Sequence, residues 1–582
     1  MINNSLPELV VIHASIFAIR AVTPLCSLFL GFYWIIGVGW HGRTWNELEG
    51  WEVALGLIVS IWAALEVAFY LLVYLPLKWR IQAPAIHPPL IPRAERKALF
   101  ARCLDSISSV GDPKLDDFLS QWFLDADPSR LTREDIRTWI LWAVFSSEYA
   151  EKDWRDEIEE YVEMVEKRTG RAFEESEDGK YGEIHVPMRP TFDRVRAAHR
   201  PLVWYLIVGI VDTLTSLDLY RSGFRHHQPK YGILMFPLRF WTFLSKRSPS
   251  NDMSYWYRPH RSPTKDPIVF IHGIGIGLWP YRDFFKDIIA ADPTVGIIAV
   301  ELLPISMRLT HPPLSSRLFL DSLLAILNEH SITTCTLITH SYGSSMSAHI
   351  FRSPKLSKRV ANAVLVDPVA FLLHEPSVAR NFLYRHPNVW RANELQLWYF
   401  ASRDISVANA LSRYFFWSEN VLWAEDLEVS GTPTTVEDDD EDERSGRVTP
   451  SERRVVVVLS ERDQILHARR VWGYLTRRSQ TKTEDDPSET RPPIGSSQDG
   501  KLIDVDDSTV HSPPCPAGQP IQDTSTSKGE ETDEGRDPKP GETYKNGNLE
   551  VMWFDGIDHA QVFDTPHRRR LINAVKEIIN GT

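Results

Sequence analysis

The segment CTLITHSYGSSMSAHIFR, residues 335–352, decides the fold of this chain. Its first five residues form a short apolar and β-branched run, which predicts a buried strand at 335–339. Residues 344–352 have the spacing of a helix. Ser341 lies in the short turn between the two elements. An alternative role for a serine at this position is that of a buried N-cap of the helix.

From residue 267 onward, short runs rich in Val and Ile alternate with helical segments. This pattern is typical of a parallel sheet with crossover helices. The other predicted strands are residues 268–271, 296–300, 363–366, 455–459 and 551–554. The predicted helices are residues 282–290, 317–328, 344–352 and 568–580. Together these elements predict an α/β fold with an open, doubly wound sheet, in which reactive groups lie beyond the carboxyl ends of the strands.

Two further strand ends carry groups that suit catalysis. FIHGIGIG, residues 270–277, follows the first strong strand, and its glycines let the backbone approach a ligand closely. A phosphate-binding loop is the alternative, but no Lys-Ser/Thr pair or ribose-binding acid follows. DGIDHAQ, residues 555–561, follows the last strand and places His559 in a loop.

The turn THSYG, residues 339–343, resembles the nucleophile elbow G-x-S-x-G of the α/β-hydrolase superfamily, with Thr339 in place of the first glycine. The resemblance implies that Ser341 is the nucleophile and His559 its general base. It also implies an oxyanion hole made by the backbone N–H groups of Ile274 and Tyr342. The neighbouring residues expected to bind substrate are His272, Gly273, Gly275 and His340.

The acid of the implied triad has two candidates. Asp463 lies just past the strand 455–459, where the superfamily most often keeps this residue, and it is the favoured one. Asp367 follows the strand 363–366, a position that some members use. Either carboxylate would orient the imidazole and stabilise the imidazolium without taking up the proton. No cofactor and no metal ion are expected.

The first 80 residues predict a membrane anchor with two transmembrane helices, at about 21–39 and 53–75. The second segment is almost wholly apolar and matches the roughly 20 residues that a helix needs to cross hydrocarbon. A signal peptide is the alternative for the first, but no basic segment precedes it and no small-residue cleavage pattern follows. Arg20 and Glu66 are ionisable residues at membrane depth, where such groups usually face a partner, so they could form an ion pair. The alternative is that the Arg20 side chain extends to the lipid headgroups.

The orientation of the anchor follows from the basic residues behind the second span. By the positive-inside rule they place the catalytic domain in the cytosol. These residues are Lys78, Arg80, Arg93, Arg96 and Lys97. The predicted location is an intracellular membrane, such as that of the endoplasmic reticulum.

Residues 81–260 predict a helical accessory region, with helices near 98–107, 115–123, 136–145 and 158–165. Two apolar runs, 202–217 and 233–244, are shorter than a span. Buried core helices are the favoured interpretation, and segments lying in the membrane interface are the alternative.

The hydrolase domain is predicted at 261–582. Its aromatic lid, at about 368–430, either forms an acyl pocket or packs as an ordinary cap.

Two acidic inserts, 431–450 and 479–546, have the composition of disordered segments. Their net charges of −5 and −8 account for the formal net charge of −13, so the acidity of this 582-residue chain says nothing about its substrate. The four cysteines are widely spaced and predict no disulfide framework.

The sequence therefore predicts a membrane-anchored serine hydrolase that cleaves an ester of a lipid or another hydrophobic acyl substrate. The expected partners are the lipid bilayer and that ester, and no nucleic acid. The alternative is a catalytically inactive α/β-hydrolase-fold protein that serves as a membrane scaffold or binding protein. The threonine at position 339 is the best support for this alternative.

Overall fold

A computed structural model describes residues 2–32, 50–107, 114–175, 185–229, 235–427, 453–480 and 537–580. Within these ranges the chain forms one ten-stranded sheet with the order β2-β1-β3-β5-β4-β6-β7-β8-β10-β9. The strands are β1 Arg225–Gln228, β2 Lys246–Arg247, β3 Ser254–Arg258, β4 Ile268–Ile271, β5 Ile297–Glu301, β6 Cys335–His340, β7 Val360–Val366, β8 Arg454–Ser460, β9 Thr543–Asn546 and β10 Leu549–Phe554.

The six central strands, from β5 to β10 in the sheet order, pair in parallel and confirm the six predicted strands. Their residues are mostly buried, which explains the continuous apolar runs in the sequence. The chain passes from β4 to β5 on one side and then returns to β6 on the other side of β4. This reversal opens a crevice beyond the carboxyl ends of β4 and β6, which is where open α/β sheets bind ligands.

The sheet begins at Arg225, before the predicted domain boundary at residue 261. Strands β1 and β3 pair antiparallel along the edge of the sheet next to β5. The sequence of β1, RHHQ, is polar, and that of β3, SYWYR, holds only three consecutive aromatic residues, so neither stretch was predicted to be a strand. The boundary at 261 was therefore placed too late.

Strand β9 is the second difference from the prediction. Residues 543–546 belong to the tract predicted as disordered, yet they pair antiparallel with β10 across a turn that contains Gly547. The helix that ends at Gln480 also enters this tract. Residues 481–536 and the whole insert 431–450 lie outside the described residues.

Helices cover both faces of the sheet, and the helices predicted at 282–290, 317–328, 344–352 and 568–580 are confirmed. Those of the sheet domain are α8 Leu202–Arg221, α9 Arg282–Ala291, α10 Ser316–Glu329, α11 Gly343–Arg352, α12 Pro354–Ser357, α17 Ala468–Gln480 and α18 Arg568–Asn580. The run 233–244 was expected to be helical, but its described part forms only a 3-10 turn at Phe240–Leu244. Pro237 lacks an N–H and interrupts the run.

The accessory region has its own apolar core. Its helices are α4 Arg93–Ile107, α5 Lys114–Trp122, α6 Arg133–Phe145 and α7 Arg155–Thr169, in agreement with the four predicted. Leu119, Ile136, Ile140 and Val162 are completely buried at its centre. Thr132 starts α6 with a capping box, in which its side chain and that of Asp135 each bind the other's amide.

A helical insert between β7 and β8 occupies the region of the predicted lid. It contains α13 Pro376–Ala379, α14 Ala392–Gln396, α15 Ile405–Arg413, α16 Trp417–Asn420 and π-helical segments at Arg380–Tyr384 and Leu397–Ser402. Tyr384 and Trp417 pack against the core of the accessory region. Leu395 and Tyr399 pack against the N-terminal helix. The insert thus connects the sheet to both of the preceding parts of the chain.

Three helices in the described residues are long and apolar enough to cross a membrane. They are α1 Leu6–Phe32, the continuous helix formed by α2 Gly50–Phe69, the π-helical turn Tyr70–Tyr74 and α3 Leu75–Arg80, and α8. Helix α1 begins earlier than the predicted span at 21–39, whose last residues lie outside the described ranges. The third candidate, α8, was predicted to be a core helix.

The suggested pairing of Arg20 with Glu66 does not form. The Arg20 guanidinium lies over the ring of Tyr399, 5.5 Å from its centre. Glu66 is completely buried and accepts hydrogen bonds from Thr23 Oγ1 at 2.6 Å and from the amide of Leu202 at 2.7 Å. The carboxylate therefore joins α1, α2 and the start of α8.

Candidate active site

The turn between β6 and α11 holds Ser341 in a left-handed backbone conformation, with φ of +52°. Side chains other than glycine rarely adopt this region, and it is sterically costly. The amide of Ser341 donates to the carbonyl of Val366 at 2.9 Å, which ties the turn to the neighbouring strand β7. The sharp turn leaves the Ser341 side chain at the carboxyl edge of the sheet.

Two glycines make room for this turn. A Cβ on Gly343 would lie 2.5 Å from the carbonyl oxygen of Ile271, and one on Gly273 would lie 2.7 Å from the Cβ of Ser341. Real Cβ atoms do not approach neighbours so closely. The turns after β4 and β6 therefore interlock through backbone contacts that only glycine permits.

Thr339, the departure from the superfamily pattern, is completely buried without distorting the turn. Its Oγ1 lies 3.0 Å from Oγ of Ser347, on the helix that follows the turn. The hydroxyl pair satisfies both side chains, and the small size of Ser347 leaves room for the threonine. A threonine at position 339 is therefore compatible with the sharp turn at Ser341.

Ser341, His559 and Asp463 form one hydrogen-bonded row. Nε2 of His559 is 2.8 Å from Oγ of Ser341, and Nδ1 is 2.6 Å from Oδ2 of Asp463. In the neutral imidazole the proton lies on Nδ1, bonded to Asp463, and Nε2 is left to accept the serine hydroxyl proton. The other oxygen of Asp463 accepts the amides of Ile465 and Leu466 at 2.8 and 3.0 Å, so the carboxylate is firmly oriented.

Asp367, the other candidate acid, binds backbone amides and not the imidazole. Its two oxygens accept the amides of Ser460, at 3.0 Å, and Ala560, at 2.9 Å. It therefore ties together the loops that carry Asp463 and His559, and does not bond to the imidazole. Burial, together with the negative charge of Asp463, raises the pKa of Asp367 to about 6 against the lowering effect of His559.

The surroundings of His559 favour the charged imidazolium. Burial alone would lower its pKa, but the contact with Asp463 outweighs burial, and the pKa rises to about 9. Asp367 and Asp558 add to this effect. Ligand atoms of His559, Asp463 and Asp367 lie within 4.8 Å of one another, as a metal site would require. Because these atoms already hold hydrogen bonds, the group suits proton transfer better than metal ligation.

The two expected oxyanion donors lie beside Ser341 at the wall of a cavity. Within the described part of the chain, the amides of Ile274 and Tyr342 donate to no protein acceptor. Unpaired amides beside a nucleophile are suited to binding a developing oxyanion. Tyr342 is the residue directly after Ser341, and Ile274 lies in the turn after β4, so the interlocking of these turns also positions the two amides.

The four residues expected to bind substrate do not line this cavity. His272 is completely buried; its Nδ1 donates to the carbonyl of Gly273 at 2.7 Å and its Nε2 accepts the amide of Leu302 at 2.9 Å. Nδ1 of His340 lies 2.8 Å from the Tyr281 hydroxyl, within hydrogen-bond distance. Burial lowers the pKa of both imidazoles, which are neutral and support the turn from behind. Gly275 also lies outside the lining.

The cavity beside Ser341 is strongly apolar and contains about 890 Å³ of space free of protein atoms, part of it open to solvent. Three separate parts of the chain enclose it. The accessory region contributes Trp122 and Trp142, the insert contributes Phe382, Leu411 and Phe415, and the sheet contributes the loops at its carboxyl edge. No pattern in the sequence indicated that the accessory helices form a wall of the site.

The loop of His559 is held by residues that the sequence did not single out. Asp558 accepts the amide of His559 at 2.7 Å and the side chain of Asn393, from α14, at 2.7 Å. Asn3 accepts a hydrogen bond from the side chain of Gln561, in the same loop, at 3.1 Å. The segment preceding α1 therefore contacts the loop that carries His559.

No protein-family model matches the sequence, and no curated protein matches it. Solved structures with a similar arrangement include a membrane phospholipase A described as a bacterial virulence factor, at 9% identity, covering 65% of this chain and 93% of the other, with a TM-score of 0.34. A carboxylesterase from Bacillus subtilis has 9% identity, coverage of 64% and 99%, and a TM-score of 0.32. A putative lipase from Acinetobacter baumannii has 10% identity, coverage of 64% and 97%, and a TM-score of 0.33.

The strand order and the placement of the candidate residues define the class of the fold. A serine follows the strand at the reversal of strand order, an aspartate follows β8, and a histidine follows β10, the last parallel strand. The chain thus has the α/β-hydrolase fold, with the helical insert and the accessory helices covering the edge of the sheet that holds these residues.

Because the two turns interlock, alanine substitutions at two nearby glycines should differ sharply in their effect on the free energy of unfolding. We expect Gly343→Ala to lower the free energy of unfolding by about 1–3 kcal/mol, because the added Cβ meets the carbonyl of Ile271. Gly275→Ala is the matched control, since a Cβ there would meet nothing within 4 Å. Chemical denaturation of the full chain in detergent measures both. Equal stability of the two variants would contradict the proposed contact.

Proposed function

We propose that this protein is a membrane-anchored serine hydrolase that cleaves carboxylic esters with hydrophobic acyl groups. The observation that carries the proposal is the row Asp463–His559–Ser341, whose hydroxyl faces an apolar cavity beside two unpaired amides. Each of these parts has a defined task in acyl transfer.

The first half of the reaction forms an acyl-enzyme. Oγ of Ser341 attacks the ester carbonyl carbon while Nε2 of His559 takes the hydroxyl proton. The carbonyl oxygen becomes an oxyanion, which the amides of Ile274 and Tyr342 bind. Asp463 stabilises the imidazolium. When the tetrahedral intermediate collapses, the C–O bond of the ester breaks and His559 gives its proton to the leaving alkoxide.

The second half regenerates the enzyme. A water molecule replaces the released alcohol, and His559 removes one of its protons as the water oxygen attacks the acyl carbon. The second tetrahedral intermediate again places its oxyanion between the two amides. When this second intermediate collapses, the bond between the acyl carbon and Oγ of Ser341 breaks. Oγ then recovers the proton from His559. The products are a carboxylic acid and the free serine.

The cavity supports a hydrophobic acyl group as the substrate part bound there. Its lining is dominated by indole, phenyl and aliphatic side chains, which stabilise a hydrocarbon chain by removing it from water. The exposed apolar surfaces of α1 and α2 support membrane anchoring, which would bring the enzyme to lipid esters. The basic residues after the second span support a catalytic domain on the cytosolic side of an intracellular membrane.

Active-site labelling tests the proposed nucleophile. We expect a fluorophosphonate probe to label the wild-type protein, and Ser341→Ala to abolish labelling because the attacking hydroxyl is gone. His559→Ala should reduce labelling strongly. Ser345→Ala is the control: this buried hydroxyl, one turn further along α11, has no hydrogen-bond partner among the described residues. Labelling that persists in folded Ser341→Ala would refute the assignment.

The roles of Asp463 and Asp367 can be distinguished by the kcat of their asparagine variants and by its pH dependence. We expect Asp463→Asn to lower kcat on the order of 10⁴-fold, since the imidazole loses its orienting partner. The wild-type rate should rise with pH as the imidazolium, with its raised pKa, loses its proton. Without the negative charge of Asp463 this pKa falls, so the rise should move to lower pH.

Asp367→Asn provides the comparison. Its main expected effect is a loss of stability of about 1–3 kcal/mol, because an amide cannot accept both backbone N–H groups. Its loss of kcat should be far smaller than that of Asp463→Asn. Hydrolysis of a soluble p-nitrophenyl ester from pH 5 to 10, combined with denaturation, measures these effects. The reverse order of rate losses would make Asp367 the triad acid.

A substitution inside the cavity tests the acyl site. We expect Leu411→Trp to lower kcat/KM on the order of tenfold for p-nitrophenyl decanoate, since the indole fills space that the chain needs. The value for p-nitrophenyl acetate should change little. Leu318→Trp, on the exposed face of α10, is the control. An equal fall for both esters would exclude the cavity as the acyl site.

A further inference from the structure

We propose that helix α8 lies in the plane of the membrane interface and forms a second membrane contact beside the anchor. The proposal goes beyond the two predicted spans, and it rests on the membrane anchoring proposed above. Although α8 is long and apolar enough to cross a bilayer, its contacts with the sheet domain favour an in-plane position.

One face of α8 is an exposed apolar stripe. Its members recur at intervals of three and four residues, so they share one side of the helix. They are Leu206, Ile207, Ile210, Leu214 and Leu217, each 43–52% exposed. A contiguous apolar surface of this kind marks an interaction site on a soluble domain.

The opposite face of α8 is fixed to the sheet domain. Asp212, near the middle of the helix, accepts hydrogen bonds from Arg239 at 2.9 and 3.0 Å and forms an ion pair with Arg308 at 2.6 Å. Arg239 also binds Glu301 at the carboxyl end of β5. All of these side chains are buried. A helix that crossed the bilayer would have to take this ionic cluster into hydrocarbon, at great cost.

The N-terminal end of α8 is joined to the anchor. The amide of Leu202 donates to Glu66, and Phe69 of α2 packs with Trp204 and Val208 of α8. The exposed stripe therefore starts beside a helix whose own surface is apolar and exposed. This continuity selects lipid as the occupant.

The same contact reaches the candidate active site. Ile276, in the glycine-rich turn after β4, packs in one cluster with Trp204, Val208 and Phe69. That turn carries Ile274, one of the two oxyanion donors. Binding of α8 to the interface would thus hold the catalytic domain against the lipid surface through the elements that position the site, which suits a substrate drawn from the membrane.

Depth-dependent quenching tests the position of α8. Single cysteines replace Leu206, Ile210, Leu214 or Leu217 in the full chain. Cys26→Ser removes the partly buried cysteine, and Cys515→Ser removes the one that lies outside the described residues. An environment-sensitive fluorophore is attached, and the protein is reconstituted in phosphatidylcholine vesicles. Lipids with a nitroxide at a shallow or a deep acyl position act as quenchers. We expect all four probes to be quenched more by the shallow label.

Two control positions distinguish a failure of the proposed anchoring from a failure of the proposed α8 contact. Ile58→Cys, on the exposed surface of α2, reports on the anchor, and Leu318→Cys, 46% exposed on α10, reports on a solvent-facing leucine. If the Ile58 probe escapes lipid quenching, the proposed anchoring itself is wrong. If it is quenched while the α8 probes respond only to aqueous iodide, α8 does not contact lipid. If the deep label quenches the probes in the middle of α8 more strongly than those near its ends, the helix crosses the bilayer. Either result overturns the in-plane position.

A functional comparison supplies a second readout. The double variant Ile210→Gln/Leu214→Gln should weaken interfacial binding, so its rate on a long-chain ester embedded in vesicles should fall by about threefold or more. Its rate on soluble p-nitrophenyl acetate should stay within about twofold of wild type, because neither residue lines the cavity. Leu318→Gln should change neither rate. Unchanged hydrolysis of the embedded ester by the double variant would count against the proposal.

Discussion

The left-handed backbone of Ser341 exists only because two turns at the carboxyl edge of the sheet interlock. Gly343 lies against the carbonyl of Ile271, and Gly273 lies against Ser341 itself, with no space for a Cβ at either contact. This packing holds Ser341 toward the imidazole and places the two unpaired amides, those of Ile274 and Tyr342, beside it. Tyr281 and the neutral His340 and His272 brace the same turns from within the protein. The strain of one residue is thus carried by the close packing of its surroundings.

The loops that bring the acid and the imidazole to this serine depend on a second set of contacts. Asp367 binds an amide in each loop, and Asp463 and Asp558 each accept backbone amides as well. Three carboxyl groups therefore surround His559, but only Asp463 touches the ring. The others fix the geometry and add negative potential, which favours the charged form of His559.

Two of the three helices that are long and apolar enough to cross a membrane, α1 and α2, pack against other parts of the described chain. Helix α1 shares apolar contacts with the insert, α2 shares them with α8, and the segment before α1 contacts the loop of His559. The cavity beside Ser341 needs walls from the accessory region and the insert together. An apolar substrate would therefore be bound by surfaces contributed from three distant parts of the sequence.

The sequence by itself determined the central sheet and the candidate groups at its edge. Parallel strands buried on both faces need continuous β-branched runs, and a turn as sharp as that of Ser341 needs glycine nearby, so both leave clear patterns. The edge strands β1, β2 and β9 have no such pattern, because their pairing with an already formed sheet determines their conformation. The choice of Asp463 over Asp367 required side-chain distances, since both follow adjacent strands. The cavity walls and the position of α8 were likewise decided by the tertiary structure, because they arise from contacts between residues far apart in the chain.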